Sequence, residues 1–194
     1  MYSDPLVLAL RLARTFDALS VPYLIGGSVA TSIYGELRTT QDIDFVALFR
    51  ESQIPAFVEA LRHEFYVHEE MIRSALRHHT CFNVIHLESM DRADVFLPAD
   101  DARFRQELDR RRAVRLDVND PGSSVFVASP EDAVLHKLEW YRDGGGVSDR
   151  QWRDVLGVLK VQGSSLEIDY LRGWADRLTF RDLLERALGE SGVR

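Results

Sequence analysis

Two aspartates one residue apart, Asp42 and Asp44, stand inside the apolar run DIDFVALF (42–49). In an extended strand residues i and i+2 project to the same side. The two carboxylates therefore share a face, while Ile43 and Phe45 turn the other way, into a core. Neighbouring carboxylates repel, and they are costly to bury unless a cation lies between them. Mg²⁺ (or Mn²⁺) supplies that charge, taking hard oxygen ligands and keeping several waters. A third acid should come from a neighbouring strand. Asp94 in DRADVFLP is the best candidate, a lone acid among Ala93, Val95, Phe96 and Leu97. Asp91, Asp100 and Asp101 fall outside that apolar run and read as surface acids.

Upstream of the pair, Gly26-Gly27-Ser28 joins a strand-like PYLIG (22–26) to a helical run from Val29 to Tyr34. Glycines at such a junction let the backbone approach a ligand closely. The first turn of the helix aims its unsatisfied N–H groups at the same spot, a ready anion site. A phosphate cradle one helix before a metal-binding acid pair makes a nucleotide site. The metal would hold the phosphates, and an acid would help deprotonate a hydroxyl for in-line attack on the α-phosphate.

The elements that position these residues follow from periodicity. Short β-like runs alternate with helical ones as far as residue 128. FYVHE (65–69), CFNVIHL (81–87), ADVFL (93–97), AVRLDV and SVFVA read as strands. A helix runs through Ile54, Phe57, Val58 and Leu61. Beyond Ser129 the pattern is helical, opening on Ser129-Pro130-Glu131-Asp132, a capped start with proline in the first turn. Trp152, Val155, Leu156 and Leu159 share one helix face, as do Phe180, Leu183, Leu184 and Leu188. The expectation is an α+β core over 1–128, its mixed sheet flanked by helices, with a helical C-terminal region over 129–194 packed on it.

Taken in order, IGGSVA, RTTQDIDF and ADVF resemble the DNA polymerase β-like nucleotidyltransferase superfamily. Within it they are most similar to AbiEii-like toxins and other minimal nucleotidyltransferases of bacterial toxin–antitoxin and phage-defence systems, over roughly residues 20 to 160. That resemblance implies the nucleotidyltransferase fold, with Asp42, Asp44 and Asp94 as catalytic and metal-binding residues. It gives Gly26, Gly27 and Ser28 to the NTP triphosphate. Arg38 and Thr40, from an Arg-x-Thr-x-Asp-x-Asp run, and Lys137, on the helix opened by Pro130-Glu131-Asp132, join them as NTP-binding residues. Asp154, in the Arg153-Asp154 pair, is expected to form a structural ion pair. The implied reaction is Mg²⁺-dependent transfer of an NMP from an NTP to a hydroxyl of tRNA or protein, releasing pyrophosphate, with a cognate antitoxin as partner. Transfer to a small antibiotic-type compound, and a non-catalytic nucleotide-sensing or partner-binding module, are the alternatives.

Composition bounds the rest. At 194 residues, with 45% hydrophobic and 28% charged, the chain can bury a sizeable core. A net charge of −7 argues against a surface generally coated by nucleic acid. One segment opposes that balance: RFRQELDRRRAVRL (103–116) carries six arginines against one Asp and one Glu. It is either a solvated helix face or a phosphate-contacting patch for an RNA acceptor. The single cysteine, Cys81, excludes an internal disulfide and fits a reducing cytoplasm. No run reaches the ~18 apolar residues of a membrane span. The N-terminal segment reads as an amphipathic helix, with Leu8, Leu12, Phe16 and Leu19 on one side, rather than a signal peptide. His78-His79 lacks partners at zinc spacing.

Overall fold

The computed structural model describes residues 5–37, 42–117, 119–120 and 122–193. Arg38 and Thr40 lie outside the described residues. The chain runs α1 (Pro5–Ala18), β1 (Tyr23–Ile25), α2 (Gly27–Tyr34), β2 (Asp42–Ala47), α3 (Ile54–Leu61), β3 (Phe65–Tyr66) and α4 (Glu69–His78). It continues with β4 (Cys81–His86), β5 (Arg92–Phe96), α5 (Ala102–Arg110), β6 (Arg112–Arg115) and β7 (Ser124–Val127). Four helices complete it: α6 (Pro130–Asp143), α7 (Asp149–Gln162), α8 (Ile168–Arg177) and α9 (Arg181–Ser191). The class is α+β, with a helical C-terminal third. No helix among the described residues is long and apolar enough to cross a membrane. Two compact units emerge, Met1–Gly26 with Thr40–Val127, and Gly27–Thr39 with Ala128–Arg194.

The first unit holds a seven-stranded sheet in the order β3-β4-β5-β2-β1-β7-β6. The β2–β5 and β1–β7 pairs are parallel, and the rest are antiparallel. Strict alternation buries Ile43, Phe45 and Ala47 of β2, Ala93 and Val95 of β5, and Phe82 and Val84 of β4. Phe16 of α1 plugs that face, with Tyr23, Phe45, Phe49 and Phe57 around it at ring-centroid distances of 5.2–5.9 Å. Such aromatic pairs contribute roughly 0.5–1.5 kcal/mol each beyond the area they bury.

One expectation fails here. FYVHE is not a five-residue strand: only Phe65–Tyr66 pair, and Glu69 opens helix α4. That helix sets Met71, Ile72, Ala75 and Leu76 on one face at helical spacing, with Ile72 and Ala75 fully buried, a period that extending the strand through Glu69 cuts across. Charge is a second signal, with Glu69 and Glu70 in the first turn and Arg77 and His78 in the last, matching the helix dipole.

The second unit gathers α2 with the C-terminal helices. At Gly35 a Cβ would lie 2.8–2.9 Å from the backbone of Gly157 and Val158, so glycine permits the close approach of α2 to α7. Gln162 Nε2 donates to the Tyr34 carbonyl at 2.8 Å, satisfying an orphan acceptor at the end of α2. Ser129 caps α6, accepting from the Asp132 N–H. Glu131 and Asp132 are buried. Glu131 accepts from the Glu167 N–H at 3.0 Å and Asp132 from the Tyr170 hydroxyl at 2.6 Å. Those two acids join α6 to α8.

Candidate active site

Asp42 and Asp44 lie on the face of β2 opposite the aromatic core, the first exposed and the second half-buried. The parallel register sets Asp44 directly across from Asp94 and Asp42 directly across from Arg92. Asn83 on β4 lies opposite Asp94 on the other flank. Pleating therefore brings three carboxylates, one guanidinium and one amide to a single open face of the first unit. Asn83 Nδ2 donates to Asp94 Oδ1. The Arg92 guanidinium stands 3.4 Å from Asp42 Oδ1 and 3.2 Å from Asp94 Oδ1.

Cys81 shares this face, two residues before Asn83. Partial burial pushes its thiol up; the charge of Asp94 and, more weakly, of Asp44 adds to the rise, while Arg92 opposes it. Among the described residues no three His, Cys, Asp or Glu side chains converge tightly enough to share one metal ion as they stand. The donor chemistry nevertheless suits a hard divalent cation. Three carboxylates occupy adjacent, registered strands on an open face, and that face already holds a cationic side chain. Asp91 instead accepts from Ser89, Asp100 pairs with Arg105, and Asp101 caps α5.

In the second unit, Gly27 has φ +54°, a left-handed conformation that suits glycine, and leads directly into the first turn of α2. Ser28 is buried there. Its hydroxyl accepts from Lys137 Nζ at 3.4 Å, and the same ammonium pairs with Asp154 Oδ2 at 2.9 Å. Lys137 is 3% exposed and Asp154 11%, so this is a sealed ion pair rather than a surface one. Lys137 is thus not a lysine reaching to solvent from an amphipathic face. It is held behind the first turn of α2.

In the arginine-rich segment, Arg103, Arg105 and Arg111 have local partners. Arg103 pairs with the buried Glu107 at 3.0 Å, Arg105 with Asp100 at 2.6 Å, and Arg111 lies over the Phe126 ring at 4.4 Å.

Solved structures match the chain along most of its length. The antibiotic-resistance factor ANT(2'')-Ia is 16% identical across 96% of this chain and 98% of its own, with a TM-score of 0.59. An antigenic nucleotidyltransferase-like protein from Paracoccidioides brasiliensis is 19% identical across 97% and 94%, with a TM-score of 0.56. The lincosamide antibiotic adenylyltransferase LnuA is 12% identical across 82% and 98%, with a TM-score of 0.51. The fold is that of the nucleotidyltransferases. No protein-family profile matches the chain, and no curated protein does. Within this nucleotidyltransferase fold, Arg92 and Asn83 are the polar residues that motif reading passes over. Arg92 had a signal, standing at i−2 from Asp94 and so on its face. Asn83 had none without the β4–β5 register.

Proposed function

We propose that the protein is a metal-dependent nucleotidyltransferase that moves an NMP from an NTP to a hydroxyl acceptor and releases pyrophosphate. One observation carries the reading: Asp42, Asp44 and Asp94 share one open sheet face, with Asp44 and Asp94 in register, within a nucleotidyltransferase fold. Asp42, Asp44 and Asp94 would hold Mg²⁺, which when bound neutralises phosphate charge at the reacting phosphorus. Asp94, oriented by the Asn83 amide, accepts the proton of the acceptor hydroxyl. The hydroxyl oxygen then bonds to the α-phosphorus, and the bond to the pyrophosphate oxygen breaks on the opposite side. In the second unit, Gly27, Ser28 and the first N–H groups of α2 form an anion site suited to a nucleotide's phosphates. Lys137 keeps positive charge behind that turn and fixes the Ser28 hydroxyl.

For the acceptor, a small hydroxylated compound is favoured over tRNA or protein. ANT(2'')-Ia has been seen with adenylyl-2''-tobramycin, and LnuA with lincomycin. Of the arginines that would bind RNA, Arg103 is also held by the buried Glu107. The test incubates the protein with Mg²⁺ and each α-labelled NTP, against a panel of small polyols and aminocyclitols and, separately, total RNA and total protein. Pyrophosphate release with a labelled small product is expected. Label on RNA or protein would establish the toxin-like acceptor class, and with it the search for an antitoxin. NTP binding without turnover under every condition would replace the enzyme with a nucleotide sensor.

A further inference from the structure

Arg92 is set by the β2–β5 register, not by a flexible loop: it faces Asp42 as Asp94 faces Asp44. Its guanidinium spans from Asp42 to Asp94. Asn83 engages Asp94 from the other flank. We infer that Arg92 is a resident counter-cation of the carboxylate set, a positioning residue that a divalent ion must displace to bind. The inference rests on the metal-dependent reading above.

The physical reason is competition for the same oxygens. A guanidinium in contact with Asp42 and Asp94 offsets their mutual repulsion and keeps their strands paired at this end. A divalent ion reaching those oxygens meets like charge at close range. Arg92 is 45% exposed, and its long stem can carry the guanidinium out toward solvent. Planar guanidinium also pairs bidentately with phosphate. An arriving triphosphate therefore offers Arg92 a new partner at the moment the metal takes its old ones. Metal alone should bind weakly, and metal with nucleotide should bind well.

The test titrates Mn²⁺, without nucleotide, into wild type, Arg92→Gln and Arg92→Lys, following free Mn²⁺ by electron paramagnetic resonance, with Asp44→Asn as the site control. Arg92→Gln should bind Mn²⁺ on the order of tenfold more tightly than wild type. Arg92→Lys, which cannot span both carboxylates, should fall between and stands in should the glutamine variant fail to fold. Adding a non-hydrolysable NTP should tighten Mn²⁺ binding more in wild type than in Arg92→Gln. Equal or weaker Mn²⁺ binding by the variants, with binding lost in Asp44→Asn, overturns the role of Arg92 and leaves the metal site standing. Absence of Mn²⁺ binding in every protein, with and without the nucleotide, overturns both.

Discussion

Carboxylates are used in two opposite ways in this chain. On β2 and β5 the carboxylates face an open sheet surface, and one half-exposed arginine spans two of them. In the helical unit Asp154, Glu131 and Asp132 are sealed, each with a partner from another helix or its flank: Lys137, the Glu167 N–H and the Tyr170 hydroxyl. The first arrangement keeps oxygens within reach of solvent and of a ligand. The second spends them on holding helices together. An acid in a core-like sequence is therefore not one kind of signal. What separates the two is whether the face carrying it is covered.

The largest contrast should appear when each kind of aspartate is removed. Asp44→Asn should lower NMP transfer by at least about 10³-fold, with the thermal midpoint within about 2 °C of wild type. Asp154→Ala should do the reverse to stability, costing about 3–5 kcal/mol in denaturant unfolding, because it leaves the Lys137 ammonium buried without its carboxylate. The double replacement Lys137→Met/Asp154→Leu should recover much of that loss. A stable, inactive Asp154→Ala would erase the distinction and move Asp154 into the active site.

How far this was legible in sequence follows the same line. Asp42, Asp44 and Asp94 stand out because local alternation fixes which face a strand residue takes, and the flanking Ile43, Phe45, Ala93 and Val95 reveal the covered side. Arg92 as the partner of Asp42, and Asn83 as the partner of Asp94, depend on strand register, which no local pattern encodes. The gathering of α2 with α6 and α7 is non-local too, resting on the backbone contact at Gly35 and on Gln162 reaching Tyr34. Helix α4, by contrast, is legible locally: Met71, Ile72, Ala75 and Leu76 recur at helical spacing, and reading FYVHE as one strand carries the extended stretch through Glu69, where the helix begins.

Tyr23 sharpens the comparison from the covered side of the same sheet. It is 1% exposed and stacks on Phe16. Burial, with a smaller push from Asp17, raises its phenol from 10.0 to about 12. The native state thus holds this proton more tightly than the unfolded chain does. Its contribution is complete below pH 10 and is lost as pH rises toward 12, a span worth about 2–3 kcal/mol. Chemical denaturation across that window should show the slope in wild type and a flatter profile in Tyr23→Phe. Parallel profiles would mean the covered face admits water.

The smallest effect belongs to an acid that is neither sealed nor offered to a ligand. Glu185 accepts from Arg172 at 2.9 Å and from Arg181 at 2.7 Å, tying α8 to α9. These two hydrogen bonds hold its carboxyl down at about 2, against 4.5 in the unfolded chain. Its stabilisation is therefore present above pH 4.5 and fades as pH falls toward 2. The side chain is 41% exposed, so solvent and salt screen the pair, and the contribution stays below about 1 kcal/mol. Glu185→Gln should lower the thermal midpoint slightly at neutral pH and low salt, with the gap closing both in molar salt and near pH 2. A gap that survives molar salt would place Glu185 with the sealed acids, and exposure would then no longer separate the two uses of a carboxylate in this fold.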